Sequence, residues 1–203
     1  ILEGENILEL QEKEMEKVRG SRIAMILQDP MTALNPVFDI QNQVGEALTI
    51  HERLKGDKLK DTVVDMLRKV RIPAPEIRMN DYPHQLSGGM RQRVMIAMSL
   101  LCRPDILIAD EPTTALDVTV QAQIMDLFKD IQKEFRTSLI LITHNMGIVA
   151  GTCSKTLVLY AGKVMEYGLT RDIFHQPSHP YTIGLLEAMP RLDKEYEVLK
   201  TIP

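Results

Sequence analysis

Residues 106–112 read Ile-Leu-Ile-Ala-Asp-Glu-Pro, and this stretch decides the fold. Its leading apolar residues have the length of a buried strand, and the Asp-Glu-Pro that follows ends the run. Continuous apolar strands of this kind are typical of parallel sheets that are covered by helices. The stretch therefore predicts an α/β fold in which Asp110 and Glu111 stand at the carboxyl end of a strand.

The segments on both sides of this strand repeat the alternation of strand and helix. Residues 23–27 form a second short apolar run, and residues 118–135 carry apolar side chains at helical spacing. A third strand is predicted over residues 138–143, around the apolar residues 139–142. Strands that alternate with helices favour a mostly parallel sheet with the helices packed against it.

Polar side chains stand at the predicted carboxyl ends of all three strands. They are Gln28, the pair Asp110 and Glu111, and His144. Open parallel sheets bind ligands at this edge. An aspartate in this position suits Mg²⁺ held through water, and the neighbouring glutamate suits a general base that orients an attacking water. The alternative is a polar strand end in which an Asp caps the next helix.

The segment between the first two strands is predicted to be mostly helical. From about residue 39 to residue 70, apolar residues recur at helical spacing in two segments that are interrupted at Gly56. Residues 72–85 contain three prolines and are predicted to be a loop. Ser87 is a credible N-cap for a further helix that ends before Pro104.

Residues 86–93 read Leu-Ser-Gly-Gly-Met-Arg-Gln-Arg and combine a hydroxyl, two glycines and a helix N-terminus. Backbone N–H groups without partners point outward at such a terminus, which makes it a ready anion site. A capped helix without a ligand fits the spacing equally well. Arg91 and Arg93 are equally compatible with a solvated helix face.

The last part of the chain is predicted to contain a β-hairpin and a short helical tail. Residues 156–167 hold two apolar runs around an Ala-Gly turn, and residues 171–203 are rich in His and Pro. For His175 and His179 a structural role is favoured over metal binding, because no cysteine or carboxylate accompanies them at ligand spacing.

Composition narrows the function classes. The 203 residues, 44% of them hydrophobic, suffice for one globular domain with a possible subdomain. A net charge of -4 gives no electrostatic reason to bind nucleic acid. Cys102 and Cys153 belong to no Cys-x-x-Cys pair and are predicted to be reduced packing residues. Residues 1–16 lack a signal peptide and resemble a chain already in progress.

Residues 86–93 resemble the signature motif of ATP-binding-cassette (ABC) ATPases. The other family motifs follow in order: Gln28 resembles the Q-loop glutamine, residues 106–110 the Walker B strand, Glu111 the catalytic base, residues 115–117 the D-loop and His144 the switch histidine. The resemblance spans nearly the whole chain. It implies a P-loop NTPase-type ABC ATPase domain, with a mostly parallel core sheet and a helical subdomain that carries the signature.

The resemblance also implies ligands and residue roles. ATP and Mg²⁺ are the expected ligands, and two subunits are expected to enclose two ATP molecules between them. The implied catalytic residues are Glu111, His144 and Gln28. Asp110 and Gln28 are implied to hold Mg²⁺ via water. The implied nucleotide-binding residues are Ser87, Gly88, Gly89, Gln92 and Asp117.

Two longer segments point to a subfamily. Residues 28–36 resemble the extended Q-loop of oligopeptide and dipeptide importer ATPases, and residues 174–182 resemble their C-terminal tail. Members of this subfamily also serve nickel and glutathione importers. The implied partners are a second ABC ATPase subunit, transmembrane permease subunits and, indirectly, an extracytoplasmic solute-binding protein, with no nucleic acid. The implied location is peripheral, on the cytoplasmic face of the inner membrane.

The chain departs from the family in one motif. No Gly-x-x-x-x-Gly-Lys-Ser/Thr occurs among the residues, whereas the family carries this phosphate loop (Walker A) before the Q-loop. We therefore expect that the N-terminal part of the fold is missing and that this chain alone does not hydrolyse ATP. The expected division is a partial core with the Q-loop in 1–38, a helical subdomain in 39–101, a second core part in 102–170 and a tail in 171–203.

Two alternative functions predict sequence features that differ from those of this chain. A cassette ATPase that acts on nucleic acid or chromosomes would carry a long coiled-coil insertion or a basic face, and the sequence has neither. A non-catalytic regulatory half of a heterodimer would usually lack the general base or the switch histidine. Because Glu111 and His144 are both present, an active site is expected in the intact protein.

Overall fold

The computed structural model describes residues 1–114 and 116–188 of the chain. Two predictions therefore fall partly outside it. Ala115 of the predicted D-loop and residues 189–203 of the predicted tail lie outside the described residues.

The contacts within the chain divide it into two compact units, residues 1–144 and residues 145–203. The division that the motifs predict, with boundaries after residues 38, 101 and 170, separates segments by function. It stays a prediction.

The first unit contains a parallel three-stranded sheet. Its strands are β1 (Ile23–Ile26), β2 (Ile106–Asp110) and β3 (Ser138–Ile142), in the order β1-β2-β3. Both pairings are parallel, and they set Ile26 beside Ala109 and Asp110 beside Ile142. The α/β fold with a parallel sheet is therefore confirmed. Because all three strands run in one direction, their carboxyl ends lie along the same edge of the sheet.

Helices supply the rest of the first unit: α1 (Glu12–Val18), α2 (Pro30–Ala33), α3 (Ile40–His51), α4 (Gly56–Lys69), α5 (Pro75–Arg78), α6 (Gly88–Leu100) and α7 (Val118–Phe135). The predicted interruption at Gly56 is confirmed, since this glycine has a φ of 63° and starts α4. In α7 the apolar stripe that contains Ile124, Leu127 and Phe128 is buried, as its spacing predicts. Among the described residues, no helix is both long enough and apolar enough to span a bilayer.

The prediction of a loop over residues 72–85 was wrong in part. This segment holds α5 and a turn of 3₁₀ helix at Pro83–Gln85. Pro75 and Pro83 each occupy the first position of their helical turn, where a backbone N–H has no intrahelical partner. Proline therefore starts these turns at no cost in hydrogen bonding.

The second unit contains an antiparallel hairpin among short helices. Its elements are α8 (Met146–Thr152), β4 (Lys155–Tyr160), β5 (Lys163–Leu169), α9 (Thr170–His175) and α10 (Pro180–Glu187). The predicted hairpin is confirmed by the antiparallel pairing of β4 with β5. Ala161 and Gly162 connect the strands with φ angles of 47° and 76°, which are typical of the turns that suit a twisted hairpin.

Glu166 of β5 holds the N-terminus of α10. Its two carboxylate oxygens accept hydrogen bonds from the backbone N–H groups of Ser178, at 2.7 Å, and His179, at 3.1 Å. The Nδ1 atom of His179 in turn accepts from the N–H of Tyr181 at 3.1 Å, so this histidine is the N-cap of α10. His179 therefore has the structural role that its sequence context favours.

We expect Glu166→Ala to lower the free energy of unfolding of the second unit by about 1–2 kcal/mol at neutral pH, because two backbone N–H groups just before α10 lose their acceptor. The Thr182 hydroxyl and the Ser178 and His179 N–H groups lower the pKa of Glu166. A lowered carboxyl pKa stabilises the fold above the unfolded-state pKa of about 4.3, and this stabilisation is lost as the pH falls through the folded-state value.

Urea unfolding of the chain at pH 7 and pH 3 measures this effect, with Glu46→Ala as the matched control because Glu46 is exposed on α3. The difference between wild type and Glu166→Ala should be present at pH 7 and shrink at pH 3. An equal effect of both variants at pH 7 would show that Glu166 does not cap α10.

Candidate functional site

The carboxyl edge of the parallel sheet brings three predicted residues together. Gln28 follows β1, Glu111 follows β2 and His144 follows β3. The Gln28 Nε2 atom donates a hydrogen bond to Glu111 Oε2 at 3.1 Å, and the His144 Nδ1 atom lies 2.7 Å from Glu111 Oε1. The two contacts make Glu111 the centre of the cluster.

The backbone of Glu111 has a left-handed conformation, with a φ of 43°. For a residue with a side chain this conformation costs roughly 1–3 kcal/mol, and such strain clusters at functional sites. The surroundings hold the residue in place, because its N–H donates to the carbonyl oxygen of Ile142 at 2.9 Å. Glu111 is thus fixed to β3 by its backbone while its side chain reaches Gln28 and His144.

A third contact to the carboxylate comes from Thr114, which the sequence motifs did not single out. Its Oγ1 atom donates to Glu111 Oε2 at 2.8 Å, and its N–H donates to the Glu111 carbonyl oxygen at 3.1 Å. A hydroxyl three residues after a carboxylate within a turn is the signal that could have revealed it.

Hydrogen bonds lower the pKa of Glu111. The contact with His144 contributes most, followed by the bond from Thr114 and, more weakly, the bond from Gln28. Glu111 is therefore a carboxylate at neutral pH, as a general base must be. Its side chain is 23% exposed and that of His144 is 75% exposed, so a ligand can reach both.

Asp110 ends β2 and is half-buried. Its carboxylate oxygens, together with the amide oxygen of Gln28, are hard donors of the type that Mg²⁺ prefers. The described residues contain no cluster of three His, Cys, Asp or Glu side chains. Mg²⁺ usually binds through only one or two carboxylates together with substrate phosphates, so these two residues fit the ion.

The aspartate that caps the next helix is Asp117 and not Asp110. Asp117 Oδ1 accepts a hydrogen bond from the N–H of Val120 at 2.9 Å, in the first turn of α7. The alternative explanation for Asp110, a capping role, is therefore wrong. As for Asp117, its predicted contact with nucleotide stays a prediction.

The segment Ser87–Gly89 forms the start of α6. Ser87 is its N-cap, since the Oγ atom accepts from the N–H of Met90 at 3.3 Å. The two glycines lie beside the start of α7. A Cβ atom on Gly89 would lie 3.0 Å from Cγ1 of Val120, and one on Gly88 would lie 3.9 Å from Cδ2 of Leu116. Gly89 therefore allows an approach that a side chain would obstruct.

Two residues further along α6, Gln92 and Arg93, differ from expectation. Gln92 is only 2% exposed, and no described residue bonds to its buried Nε2 atom. This burial does not support the predicted contact of Gln92 with nucleotide. Arg93 is 8% exposed, so the solvated face proposed for it is wrong. The reason is that α6 is buried around most of its circumference from Gln92 onward.

Neither cysteine belongs to this site. Cys102 and Cys153 are both free and partly buried. Burial, with the nearby charge of Glu52, raises the pKa of the Cys102 thiol to about 11, and burial also raises the pKa of Cys153. Both thiols are therefore protonated at neutral pH, as expected of packing residues.

Two protein families match parts of the chain. The family described as "ABC transporter" matches residues 1–114, and the family described as "Oligopeptide/dipeptide transporter, C-terminal region" matches residues 165–203. Among curated proteins, the oligopeptide transport ATP-binding protein OppD of Escherichia coli (strain K12) is 56% identical over 200 residues, which cover 98% of this chain and 59% of that protein. The dipeptide transport ATP-binding protein DppD of Bacillus subtilis (strain 168) is 54% identical over 193 residues, covering 95% and 58%.

Solved structures of ATP-binding cassettes share the fold. The dimeric post-hydrolysis state of the cassette MJ0796 bound to ADP and Pi superposes with a TM-score of 0.70 at 28% identity, covering 80% of this chain and 69% of that one. The cbiO1 protein of Clostridium perfringens, part of the cbiONQ transporter complex, gives a TM-score of 0.71 at 31% identity, covering 82% and 64%.

The chain spans about three fifths of the length of the curated relatives that it matches, with 59% for one OppD and 58% for one DppD. The "ABC transporter" match covers more than half of the chain, and it includes Gln28, the segment Ser87–Gly89 and the cluster centre Glu111. On this basis, the chain belongs to the ABC transporter family.

Proposed function

We propose that the full-length protein hydrolyses ATP and thereby powers a transporter that imports oligopeptides, dipeptides or a related small solute. The observation that carries this proposal is the convergence of Gln28, Thr114 and His144 on the Glu111 carboxylate at the carboxyl edge of a parallel sheet. The proposal of a peptide as the solute draws on the names of the relatives, which are oligopeptide and dipeptide transport proteins.

In this proposal Glu111 is the general base. Its ionised carboxylate orients the water that attacks the γ-phosphate, which requires that one of its present hydrogen bonds be exchanged for the water. His144 is exposed next to it and contacts the γ-phosphate, where it helps to stabilise the charge of the transition state. These are the positioning and electrostatic roles on which phosphoryl transfer depends.

Asp110, through water, and Gln28 would hold Mg²⁺. When bound, the ion would neutralise charge on the β- and γ-phosphates. Gln28 is well placed to respond to the ligand, because its amide already donates to Glu111. It would relay this response to the permease through the segment that follows it.

Hydrolysis is proposed to need a second ABC ATPase subunit. The segment Ser87–Gly89 offers the N-terminus of a 13-residue helix with a serine cap, which favours an anion. It would touch the γ-phosphate of an ATP held by the partner, with Asp117 at the same interface. The solved relative MJ0796 forms a dimer. For this protein a heterodimer with a sister ATPase is the preferred arrangement.

An exposed apolar patch in the helical part of the first unit is the proposed docking site for a permease helix. It consists of Val37, Phe38, Ile77 and Tyr82, which are 41–71% exposed. Backbone hydrogen bonds from Ile40 to Asp81 and from Gln41 to Met79 join the two segments that carry these residues. Exposed apolar patches of this kind favour helix docking.

This docking would place the protein on the cytoplasmic face of the inner membrane. The extracytoplasmic solute-binding protein would act on it only through the permease. No nucleic acid is proposed as a partner, since the net charge is negative.

The test is to assay the full-length gene product for Mg-ATP hydrolysis, alone and with its sister ATPase, and then in vesicles that hold both ATPases and their permease. We expect ATP hydrolysis, its loss in His144→Ala, and ATP-dependent uptake of peptide by the vesicles. A double change of Val37 and Phe38 to Ser should abolish uptake but spare ATP binding. Failure of the full-length protein to bind Mg-ATP would overturn the proposal and favour a regulatory subunit.

A further inference from the structure

Arg93 on α6 is a buried cation with neutral partners. Its side chain donates from Nη1 to the carbonyl oxygen of Val70 at 3.0 Å and from Nη2 to Oε1 of Gln123 at 2.9 Å. Among the described residues, no carboxylate forms an ion pair with it. A buried charge is normally paired, so a guanidinium held by a carbonyl and an amide calls for an explanation.

Two cations at and just after the end of α4 pair with carboxylates of α7. Arg71 lies 2.6 Å from Asp130, and Lys69 lies 2.7 Å from Glu134. Gln123, one heptad before Asp130, occupies the position at which a carboxylate would complete a third ion pair. Helix α7 thus supplies a carboxylate to each of the two neighbouring cations but only a neutral amide to Arg93.

Arg93 lies close behind the segment Ser87–Gly89. The approach of Gly89 to Val120 and the hydrogen bond from Arg93 to Gln123 are consecutive contacts between α6 and α7. The two residues of α6 are four positions apart, or about 6 Å along the helix axis.

We infer that the uncompensated charge of Arg93 stabilises a phosphate group bound at Ser87–Gly89, and that Gln123 is neutral so that this charge stays available. The inference rests on the proposed function and deepens it. It assigns a part in phosphate binding to a residue that need not touch the ligand. Arg93 also acts as a positioning residue, because its two hydrogen bonds hold α6 against α4 and α7.

The electrostatics agree with this assignment. Burial, with the nearby charge of Arg71, lowers the pKa of Arg93, as expected for a cation without an anionic partner. A guanidinium remains protonated at neutral pH even so. At separations of roughly 10 Å, a charge that lies just below the protein surface still interacts with an anion.

The substitution Gln123→Glu tests the inference, because it should affect the stability of the fold and ATP-dependent dimerisation in different directions. A carboxylate at this position would pair with Arg93, so the free energy of unfolding should stay equal or rise. The same pairing neutralises the charge, so ATP-dependent dimerisation should weaken about tenfold. Gln123→Met removes the acceptor and keeps the charge, so it should destabilise the fold slightly and dimerise within about twofold of the parent.

The measurement is sedimentation of the full-length protein with ATP in the Glu111→Gln background, alone and mixed with its sister ATPase, together with urea unfolding. Ala122→Glu is the matched control, since it adds the same charge at the adjacent exposed position of α7. Equal dimerisation of Gln123→Glu and the parent would overturn the inference, and so would equal weakening by Gln123→Glu and Ala122→Glu. A parent that dimerises with ATP neither with itself nor with its sister ATPase would overturn the proposed function and this inference with it.

Discussion

Replacing Glu111 with Gln is expected to slow ATP hydrolysis by the full-length protein by about 10²–10⁴-fold, the usual contribution of a general base. The amide has the size of the carboxylate and can still accept one hydrogen bond from Thr114 or Gln28, which now donate to Glu111 Oε2 at 2.8 and 3.1 Å. It cannot accept a proton from water. Binding should therefore survive while the chemical step is lost, and an ATP-bound dimer should accumulate.

Three measurements check this prediction: steady-state hydrolysis, calorimetric Mg-ATP binding and sedimentation with ATP. Glu16→Gln on α1 is the matched control, because Glu16 is exposed and lies outside the site. If Glu111→Gln hydrolyses ATP at more than about a tenth of the wild-type rate, another group activates the water. If ATP binding is lost as well, Glu111 contributes to holding the ligand, and the assignment as a base alone is wrong.

Local patterns were sufficient to predict the sheet and the position of the site. The apolar runs that end at Asp110 and before His144 are strands in the structure, and they lie within one residue of their expected bounds. The parallel direction of the strands then places their carboxyl ends together. The contact of Gln28 with Glu111, 83 residues later in the chain, follows from this topology.

Side-chain environment was harder to predict, because it depends on contacts distant in sequence. Nothing local to Arg93 indicates that Gln123, 30 residues later, accepts its hydrogen bond. The periodicity of α6 likewise does not reveal that packing buries Gln92. The turns that start at Pro75 and Pro83 were missed for another reason, since proline is common both in loops and at the first position of helices. Whether the tail beyond residue 188 follows its predicted role stays a prediction.

The approach of α6 to α7 leads to the second prediction, for Gly89→Ala. A Cβ atom at this position would lie 3.0 Å from Cγ1 of Val120, which is tighter than an ordinary contact, so a shift of a few tenths of an ångström between the start of α6 and Val120 is needed. Overpacking of this kind typically costs about 1–3 kcal/mol. Because the shift moves the start of α6, ATP-dependent dimerisation of the full-length protein should weaken along with the stability of the fold.

The double variant Gly89→Ala, Val120→Ala separates this cause from others. Val120→Ala removes the Cγ1 atom that the new methyl group would meet, so the double variant should be more stable than the two separate effects add up to, by about 1 kcal/mol. Gly88→Ala is the matched control, since its Cβ atom would make an ordinary contact at 3.9 Å with Leu116. If Gly88→Ala and Gly89→Ala cost the same, or if Val120→Ala restores nothing, the close approach to α7 is not the reason for glycine at position 89. Recovery of both stability and dimerisation in the double variant would instead show that the spacing between α6 and α7 sets the position of the segment Ser87–Gly89.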